Sequence, residues 1–434
     1  MKKYLKPALW GFLILLHLVL ALAAMQNIEN FMTVDSTGYI NLAKALYKTG
    51  SYTVPGDPYI DLFRPPGYPA FLAMNLVLTG GNPALIPLTQ TCVLFLTAFM
   101  LYRIGKESGH SKAGKAAAFL YLINPNADFW SLMVLSETFF ALFMVLTIWQ
   151  LNRYWQSKQL RWMLTAGLTL GWSSLIRPIA YPLWIVWGAL MLLSILRTSP
   201  QQRLMTIKAV LSFSFGVLLV ITPWQLRNYA VKGQYTLSIS TGYTLEYWNA
   251  ARVLARAEGT SIKEAQIQIM NETDPVKTSW EIFRKYPRIA IVEQIRGILR
   301  TGLGAEYGSW ANAFTGKPVT TSGIVSIIFD KKGLAALGQA FKNVVKTPWL
   351  LAGLYALVFD AALLVLNIMG CIKIWQMRKT SVLFGLGLVL LTGLGYLILA
   401  PLANGDSRFR APADPLLALL GGFSQLTLSS KPVS

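Results

Sequence analysis

The residues best suited to chemistry fall in one polar stretch, residues 35–69, that follows an apolar N-terminal segment. Its first acid is Asp35, and a carboxylate partly shielded from water is suited to act as a general base. The structural alternative is that Asp35 or Ser36 caps a short helix, predicted from apolar spacing over 36–49 and ended by Gly50. Three other acids are alternative candidates for the base: Asp57, Asp61 and Glu137.

Several arginines are candidates for binding an anion. Arg64 precedes Pro65 and Pro66, which restrict its backbone and hold the chain extended. A guanidinium held in this way suits bidentate contact with a phosphate. The alternative is an interfacial arginine that meets lipid headgroups. Three further arginines are candidates for the same phosphate: Arg177, Arg408 and Arg410. Four residues nearby are candidates for contacting the substrate: Tyr39, Tyr68, Glu137 and Arg227.

The composition indicates an integral membrane protein. Of the 434 residues, 54% are hydrophobic and 13% are charged, whereas soluble domains have about 25% charged residues. Apolar runs of about 20 residues, long enough to cross a bilayer, recur along the chain. The formal net charge is +20. Much of this excess falls in short loops between apolar runs, as the positive-inside rule predicts, so no nucleic-acid partner is expected.

We therefore predict an all-α polytopic membrane protein of about ten transmembrane helices, with both termini cytoplasmic. The helices are predicted at residues 8–26, 84–102, 114–127, 136–152, 162–177, 179–196, 208–225, 348–372, 382–401 and 412–428. Every inward turn in this arrangement is basic. The candidate site residues then all lie at or beyond the outer ends of the helices, where ionisable groups usually mark a pathway or a site.

Three regions follow from this topology. Residues 1–228 form an N-terminal transmembrane catalytic module, whose first outer loop, 27–83, carries interfacial helices. Residues 229–347 form a small extracytoplasmic subdomain, and 348–434 supply the C-terminal transmembrane helices. Within the subdomain, 280–303 is predicted as a basic amphipathic helix on anionic headgroups. The alternative is that its cations guide an anionic lipid into a nearby cleft.

Several classes of site are absent from the sequence. It contains no Walker P-loop, no GxSxG elbow, no HExxH motif, no Rossmann fingerprint after a strand and no Asp-x-Asp pair. Its two histidines, His17 and His110, are isolated, and its two cysteines, Cys92 and Cys371, lie in apolar runs. Neither a zinc site nor a disulfide is expected.

The order of the motifs resembles the C-type glycosyltransferases, and most closely the protein O-mannosyltransferase-like and aminoarabinose-transferase-like enzymes. The resemblance covers most of residues 1–230 and, more weakly, the last helices. It is carried by six segments: Asp35 to Tyr52, Arg64 to Pro69, Ser136 to Phe140, Arg177-Pro178, Trp224 to Asn228 and Arg408 to Pro412.

The resemblance implies a polytopic enzyme that takes a sugar from a polyprenyl-phosphate donor on the outer face of the membrane. Asp35 would deprotonate the acceptor hydroxyl or amine, and Arg64 and Arg177 would contact the donor phosphate. Attack from the opposite face would invert the anomeric centre. Two positions depart from the aminoarabinose enzymes, because Phe63 stands where they have a glutamate and Gly38 where they have an arginine.

The sequence thus predicts a glycosyltransferase of the bacterial inner membrane, with its active site on the extracytoplasmic side. Its donor would be a polyprenyl-phosphate sugar, of the undecaprenyl type, and its acceptor a glycolipid, an envelope glycan or a protein. The need for a divalent metal is left open. The alternatives are a transporter or flippase of lipid-linked oligosaccharides, and a polymerase or ligase of envelope glycans. Transporters tend to show internal repeats, and none is visible in this sequence.

Overall fold

The computed structural model describes residues 2–57, 59–194, 199–272, 274–304, 307–316, 350–377 and 381–426. Within these ranges every regular element is a helix, and the β-type pairing is limited to one isolated bridge between Val54 and Asp57. The all-α prediction is confirmed for this part of the chain. The end of the predicted subdomain, 317–347, and the end of the last predicted helix, 427–428, lie outside it.

The chain up to Lys232 supplies the helices that frame the site. They are α1 (Lys2–Gln26), α2 (Val34–Thr49), α3 (Ile60–Phe63), α4 (Gly67–Leu78), α5 (Ile86–Glu107), α6 (Ser111–Leu122), α7 (Pro125–Leu132), α8 (Glu137–Ser157), α9 (Leu160–Ile176), α10 (Leu183–Ser194) and α11 (Pro200–Lys232). Short 3₁₀ turns connect several of them, at Ile28–Phe31, Pro83–Leu85 and Pro178–Ala180.

The rest of the described chain adds a region of short helices and then the C-terminal helices. After α12 (Ser240–Tyr243) comes a π-helix, Thr244–Ala250. The α-helices that follow are α13 (Ala251–Glu258), α14 (Ile262–Met270), α15 (Pro275–Lys285), α16 (Pro287–Leu303), α17 (Tyr307–Thr315), α18 (Leu350–Gln376), α19 (Ser381–Leu399), α20 (Ser407–Arg410) and α21 (Asp414–Gly422). The last predicted span is thus a short helix that ends in a 3₁₀ turn, Phe423–Gln425.

Apolar helices make this a multi-pass membrane protein. Among the described residues, four helices are long and apolar enough to cross a bilayer: α1, α5 with its leading turn, α11 and α18. Three shorter apolar helices, α4, α10 and α19, accompany them. Large apolar side chains such as Phe12, Phe215 and Val358 point away from the protein, as lipid-facing residues do. The count of about ten spans stays a prediction.

Helix α8 runs from one end of the bundle to the other. Its 21 residues correspond to about 31 Å at 1.5 Å per residue, which is close to the hydrocarbon thickness of a bilayer. Glu137 begins the helix at one end. At the other end, Trp149 donates to Glu107 over 2.8 Å, and Arg153 lies 3.7 Å from the same carboxylate. The helix therefore separates Glu137 from the group formed by Glu107, Trp149 and Arg153.

Helix α2 begins with a capping box that does not involve Asp35. The N-cap is Thr33, whose N–H donates to the Ser36 hydroxyl over 2.9 Å. The prediction that Asp35 or Ser36 is the N-cap was wrong, because the helix begins earlier, at Val34. The predicted stop is confirmed, since Gly50 adopts a left-handed φ of 66° that ends the helix. The carboxylate of Asp35 is therefore not consumed by capping.

A close backbone contact brings the Pro-Pro segment against the end of α9. A Cβ added to Gly67 would lie 2.8 Å from backbone atoms of Leu175 and Ile176, so only glycine fits there. Because Gly67 begins α4 and Ile176 ends α9, the turn that carries Arg64 is fixed beside the turn that carries Arg177.

The single helix predicted over 280–303 is broken into α15 and α16. The break falls at Tyr286, directly before Pro287. Proline has no N–H for the helix ladder and restricts the residue before it, which explains why a continuous helix does not form.

Two of the cations in that segment face protein rather than lipid. Arg296 is buried and donates to Glu293 over 2.6 Å. Arg300 donates to the carbonyl oxygen of Ala403 over 2.7 Å. The prediction that all of these cations lie on headgroups was therefore wrong for this pair, because α16 packs against the turn that precedes α20.

Candidate active site

Asp35 is held between two arginines from opposite ends of the sequence. Its Oδ1 lies 2.6 Å from Nη2 of Arg64, and its Oδ2 lies 2.6 Å from Nη1 of Arg408. The three side chains come from α2, from the turn after α3 and from α20. Their meeting joins the segment around α2 and α3 to α20, near the other end of the chain.

Glu137 forms the second half of the same arrangement. Its Oε1 lies 2.6 Å from Nη1 of Arg177 and 2.5 Å from Nε of Arg408. The carboxylate is fully buried, and its Oε2 has no hydrogen-bond partner. Arg408 therefore bridges two carboxylates that lie 102 positions apart in the sequence, in the first turns of α2 and α8.

We call this set the Asp35 cluster, and it consists of Asp35, Arg64, Glu137, Arg177 and Arg408. Its three guanidinium groups face two carboxylates, which leaves one excess positive charge. The side chain of Asp35 is 34% exposed, whereas the side chain of Glu137 is fully buried. The cluster is therefore reached from the Asp35 side, where an anion would be attracted.

The two arginines dominate the ionisation of Asp35. Burial alone would raise the pKa of this carboxyl, but the charges of Arg408 and Arg64 outweigh it and lower the pKa to about 2. Burial alone would lower the pKa of the Arg64 guanidinium, but Tyr39 and Asp35 outweigh this effect and raise it. Asp35 is therefore an ion-paired carboxylate at neutral pH, and it becomes a useful base only if its arginine partners are drawn elsewhere.

Two tyrosines support the cluster from within the protein. The hydroxyl of Tyr39 accepts from Nη1 of Arg64 over 3.2 Å, and the guanidinium also lies 4.5 Å from the centre of the Tyr39 ring. Tyr68 packs edge-on against Tyr39 and donates to Gln90 over 2.7 Å. Because Tyr68 is fully buried, its contribution is to hold the Tyr39 ring, whereas Tyr39 touches the cluster directly.

The backbone of Arg64 is fixed as well as its side chain. Its carbonyl oxygen accepts from the hydroxyl of Tyr52 over 2.8 Å. The next residues are Pro65 and Pro66, which leave the backbone little freedom. The ring of Phe63 lies 4.8 Å from the guanidinium. Arg64 is thus positioned before any ligand arrives.

Arg227, predicted to contact substrate, lies behind this turn and outside the Asp35 cluster. Its Nη2 lies 2.7 Å from Oδ2 of Asp61 and 3.2 Å from the carbonyl oxygen of Tyr52. Its guanidinium also lies 5.0 Å from the Trp224 ring. Asp61, an alternative candidate for the base, is thereby buried and paired. Both residues brace the Tyr52–Arg64 loop in this structure.

Arg410 also lies apart from the Asp35 cluster, although the same prediction covered it and Arg408. Its Nη1 lies 3.1 Å from Oδ2 of Asp360, and its Nε lies 3.3 Å from Oδ1 of Asp414. It donates as well to the carbonyl oxygen of Gly302 over 2.8 Å. We call Arg410, Asp360 and Asp414 the Arg410 cluster, and its members are buried or nearly so.

Sequence reasoning missed the acids of the Arg410 cluster and a second buried pair. Asp360 interrupts the apolar run of α18, and an acid in such a run was a usable signal. Asp414 follows the Arg-Phe-Arg motif and accepts from Asn126 over 2.7 Å. His17 in α1 lies 3.5 Å from Asp128 in α7. Among the described residues, no group of three or more His, Cys, Asp or Glu is placed to hold a metal ion.

Comparison with known structures gives distant likenesses. An archaeal oligosaccharyltransferase, AglB from Archaeoglobus fulgidus in complex with an inhibitory peptide and a dolichol phosphate, is 14% identical with a TM-score of 0.48; the match covers 94% of this chain and 50% of that one. ArnT from Cupriavidus metallidurans, bound to undecaprenyl phosphate, is 12% identical with a TM-score of 0.45; that match covers 96% of this chain and 77% of ArnT. The chain thus spans about half the length of the archaeal enzyme.

Comparison of sequences gives a match in the region that contains Arg64, Glu137 and Arg177. No curated protein matches the chain. Residues 63–226, however, match the family described as dolichyl-phosphate-mannose-protein mannosyltransferase. The resemblance drawn from the motifs is thus confirmed over residues 63–226, where the chain is similar to this family of C-type glycosyltransferases.

Proposed function

We propose that the protein is a membrane glycosyltransferase that moves one sugar from a polyprenyl-phosphate donor to an acceptor on the extracytoplasmic face. The observation that carries the proposal is the Asp35 cluster, in which a partly exposed carboxylate lies between two guanidinium groups at one end of an apolar bundle. The family match over residues 63–226 supports the same class of reaction.

The donor phosphate would bind through the arginines of the cluster. One excess positive charge attracts the anion, and planar guanidinium groups suit its oxygens. Arg64 and Arg408 are the two that contact Asp35, whose side chain is partly exposed. The polyprenyl chain would extend into the bilayer beside the apolar helices, which leaves the sugar next to Asp35.

Donor binding would also raise the pKa of Asp35 and so make it a better base. Without a donor, Arg408 and Arg64 hold the pKa of Asp35 at about 2 despite its burial, and so low a pKa makes a poor base. When the phosphate takes hydrogen bonds from these guanidinium groups, their hold on Asp35 weakens, and the effect of burial raises its pKa. Proton abstraction is thereby confined to the complex that contains the donor.

In the chemical step, the anomeric carbon forms one bond and loses another. The acceptor hydroxyl or amine gives its proton to Asp35 as its oxygen or nitrogen bonds to the anomeric carbon. The bond from that carbon to the phosphate oxygen breaks, and its electron pair leaves with the polyprenyl phosphate. Arg64 and Arg408 stabilise the charge that develops on this leaving group. Attack from the face opposite the phosphate inverts the anomeric centre.

The test compares purified wild type, Asp35→Asn and Asp57→Asn in liposomes. Each receives a panel of radiolabelled polyprenyl-phosphate monosaccharides together with an extracted membrane-lipid acceptor mixture. Asp57 is the matched control, because it is an exposed acid of the same loop whose Oδ1 accepts from the N–H of Tyr59 and Ile60. Loss of a general base slows transfer by about 10²- to 10⁴-fold. We expect this loss in Asp35→Asn alone.

Two results would change the proposal. Equal transfer by wild type and Asp35→Asn would remove the role of Asp35 and leave the reaction class standing. No transfer from any donor, with movement of the sugar lipid across the bilayer instead, would replace the transferase by a transporter.

A further inference from the structure

A π-helix lies beside the Asp35 cluster. π-Helical turns are rare in proteins overall, but those that occur are often found at functional sites. It spans Thr244–Ala250, directly after α12. The rings of Tyr243 and Tyr247 stack at its start, with centroids 4.8 Å apart and an interplanar angle of 16°. Tyr243 also packs edge-on against Phe63 at 5.3 Å. The stacked pair is therefore one ring away from the guanidinium of Arg64.

The segment that carries this pair is tied to both loops that supply the arginines. Near its start, the hydroxyl of Ser238 donates to the carbonyl oxygen of Phe63 over 2.8 Å. Near its end, the side-chain oxygen of Asn249 accepts from the N–H of Asn404 over 3.0 Å. Phe63 directly precedes Arg64, and Asn404 lies in the turn before α20. The π-helix is thus positioned across the same space that the cluster faces.

The same π-helix also carries a carboxylate, that of Glu246. Glu246 lies between the two tyrosines in sequence and is partly exposed. Within the described ranges, no hydrogen bond or ion pair to its side chain is found. Burial and the charge of Asp274 raise the pKa of this carboxyl. Such a group readily accepts a hydrogen bond from a hydroxyl or an amine.

We propose that Tyr243, Tyr247 and Glu246 form a subsite for a sugar ring of the acceptor. A sugar ring presents an apolar C–H face, which packs on flat aromatic surface, and a rim of hydroxyls, which a free carboxylate can bind. This inference rests on the proposed function and extends it to an acceptor that is itself a glycan or glycolipid.

The position favours the acceptor sugar over the donor sugar. The donor phosphate is assigned to Arg64 and Arg408, and its chain to the apolar helices below them. The π-helix belongs to the outer region and reaches the cluster along the edge of Phe63. A molecule seated on the tyrosine pair would therefore present its hydroxyls to Asp35 from the side away from the bilayer.

The experiment measures sugar binding without turnover. Full-length protein in nanodiscs is given a panel of methyl glycosides, and saturation-transfer difference NMR reads the contact of their ring protons. We expect Tyr243→Ala and Tyr247→Ala to weaken binding by about tenfold or more, which corresponds to about 1.4 kcal/mol. Glu246→Gln should weaken it less, because the amide still accepts a hydrogen bond. Tyr235→Ala is the matched control, since this exposed tyrosine of the same region lies outside the subsite.

Binding of polyprenyl phosphate to the same samples separates the two proposals. If it binds and no glycoside contacts the wild type, the subsite is overturned and the proposed function stands. If neither ligand binds, both proposals fall. Unchanged glycoside binding in Tyr243→Ala and Tyr247→Ala overturns the subsite as well. The liposome assay gives a further check on the Tyr243→Ala and Tyr247→Ala variants. If the KM of these variants rises for the donor and not for the acceptor, the subsite holds the donor sugar, and the assignment to the acceptor is overturned.

Discussion

Helix α20 carries one arginine from each of two arginine–carboxylate clusters. The two clusters differ in their exposure to solvent and in their net charge. Arg408 is 20% exposed and belongs to the Asp35 cluster, whereas Arg410 is 4% exposed and belongs to the Arg410 cluster. The first has more guanidinium groups than carboxylates, and the second has one guanidinium for two carboxylates. An anion would therefore be attracted by the first cluster, which is net positive, and repelled by the second, which is net negative.

The difference indicates that the residue types alone do not make a site. Arg410 ties α20 to α18 through Asp360 and to α21 through Asp414. In doing so it fixes the helix on which Arg408 is carried. The Arg410 cluster is therefore a structural lock, whereas the Asp35 cluster is the part that we propose exchanges its ion pairs for those of a ligand.

Breaking the lock should give the largest effect on stability. Arg410→Ala leaves two acids buried without a counter-charge, and removal of one partner of a buried pair costs about 3–5 kcal/mol. We expect a lower Tm and a lower yield of monodisperse protein. Adding Asp360→Asn to this variant should restore part of the loss, because one uncompensated charge is removed.

Lys277→Ala is the control for the lock. Lys277 lies 4.0 Å from Glu281 in an exposed pair, and such a pair contributes about 0–1 kcal/mol. An Arg410→Ala protein with an unchanged Tm, but with weaker donor binding, would contradict the division into lock and site.

Breaking the exchangeable cluster should change binding more than stability. In Arg64→Gln we expect the affinity for polyprenyl phosphate to fall by about 10- to 100-fold, because a charge-assisted contact to the phosphate is lost. Arg284→Gln removes an exposed guanidinium of α15 and should leave this affinity unchanged. Equal loss in both variants would mean that the phosphate is attracted by general surface charge and not by the Asp35 cluster.

Topology explains why most of the Asp35 cluster was predictable. Asp35, Glu137 and Arg177 each lie at an end of an apolar run, and alternation of the runs places those ends on one side of the membrane. Their pairing required the structure, because residues 102 positions apart carry no local signal of contact. The sequence therefore named most members of the cluster one by one, but not the contacts between them.

Local geometry explains why two neighbouring arginines of that prediction have different partners in the structure. Arg408 and Arg410 were assigned together to the donor phosphate. Side chains two residues apart on a helix point about 160° apart, since two steps of about 100° turn the helix by about 200°. Only one of the pair can face the cluster, and the sequence does not say which. The break at Pro287 was more accessible to sequence reasoning, because proline alone predicts it.

The pH dependence of stability gives the smallest and most specific test of the comparison. The pKa of Asp35 is about 2 in the folded protein, below its ordinary value of 3.8. Its ion pairs therefore stabilise the fold fully above the unfolded pKa, and this contribution is lost as the pH falls toward the folded value. The Tm difference between wild type and Asp35→Asn should stay constant from about pH 8 to about pH 5 and shrink below about pH 4. A difference that already shrinks near neutral pH would mean that Asp35 gains a proton there. Two guanidinium groups could not then be holding it, and the donor would not be needed to activate the base.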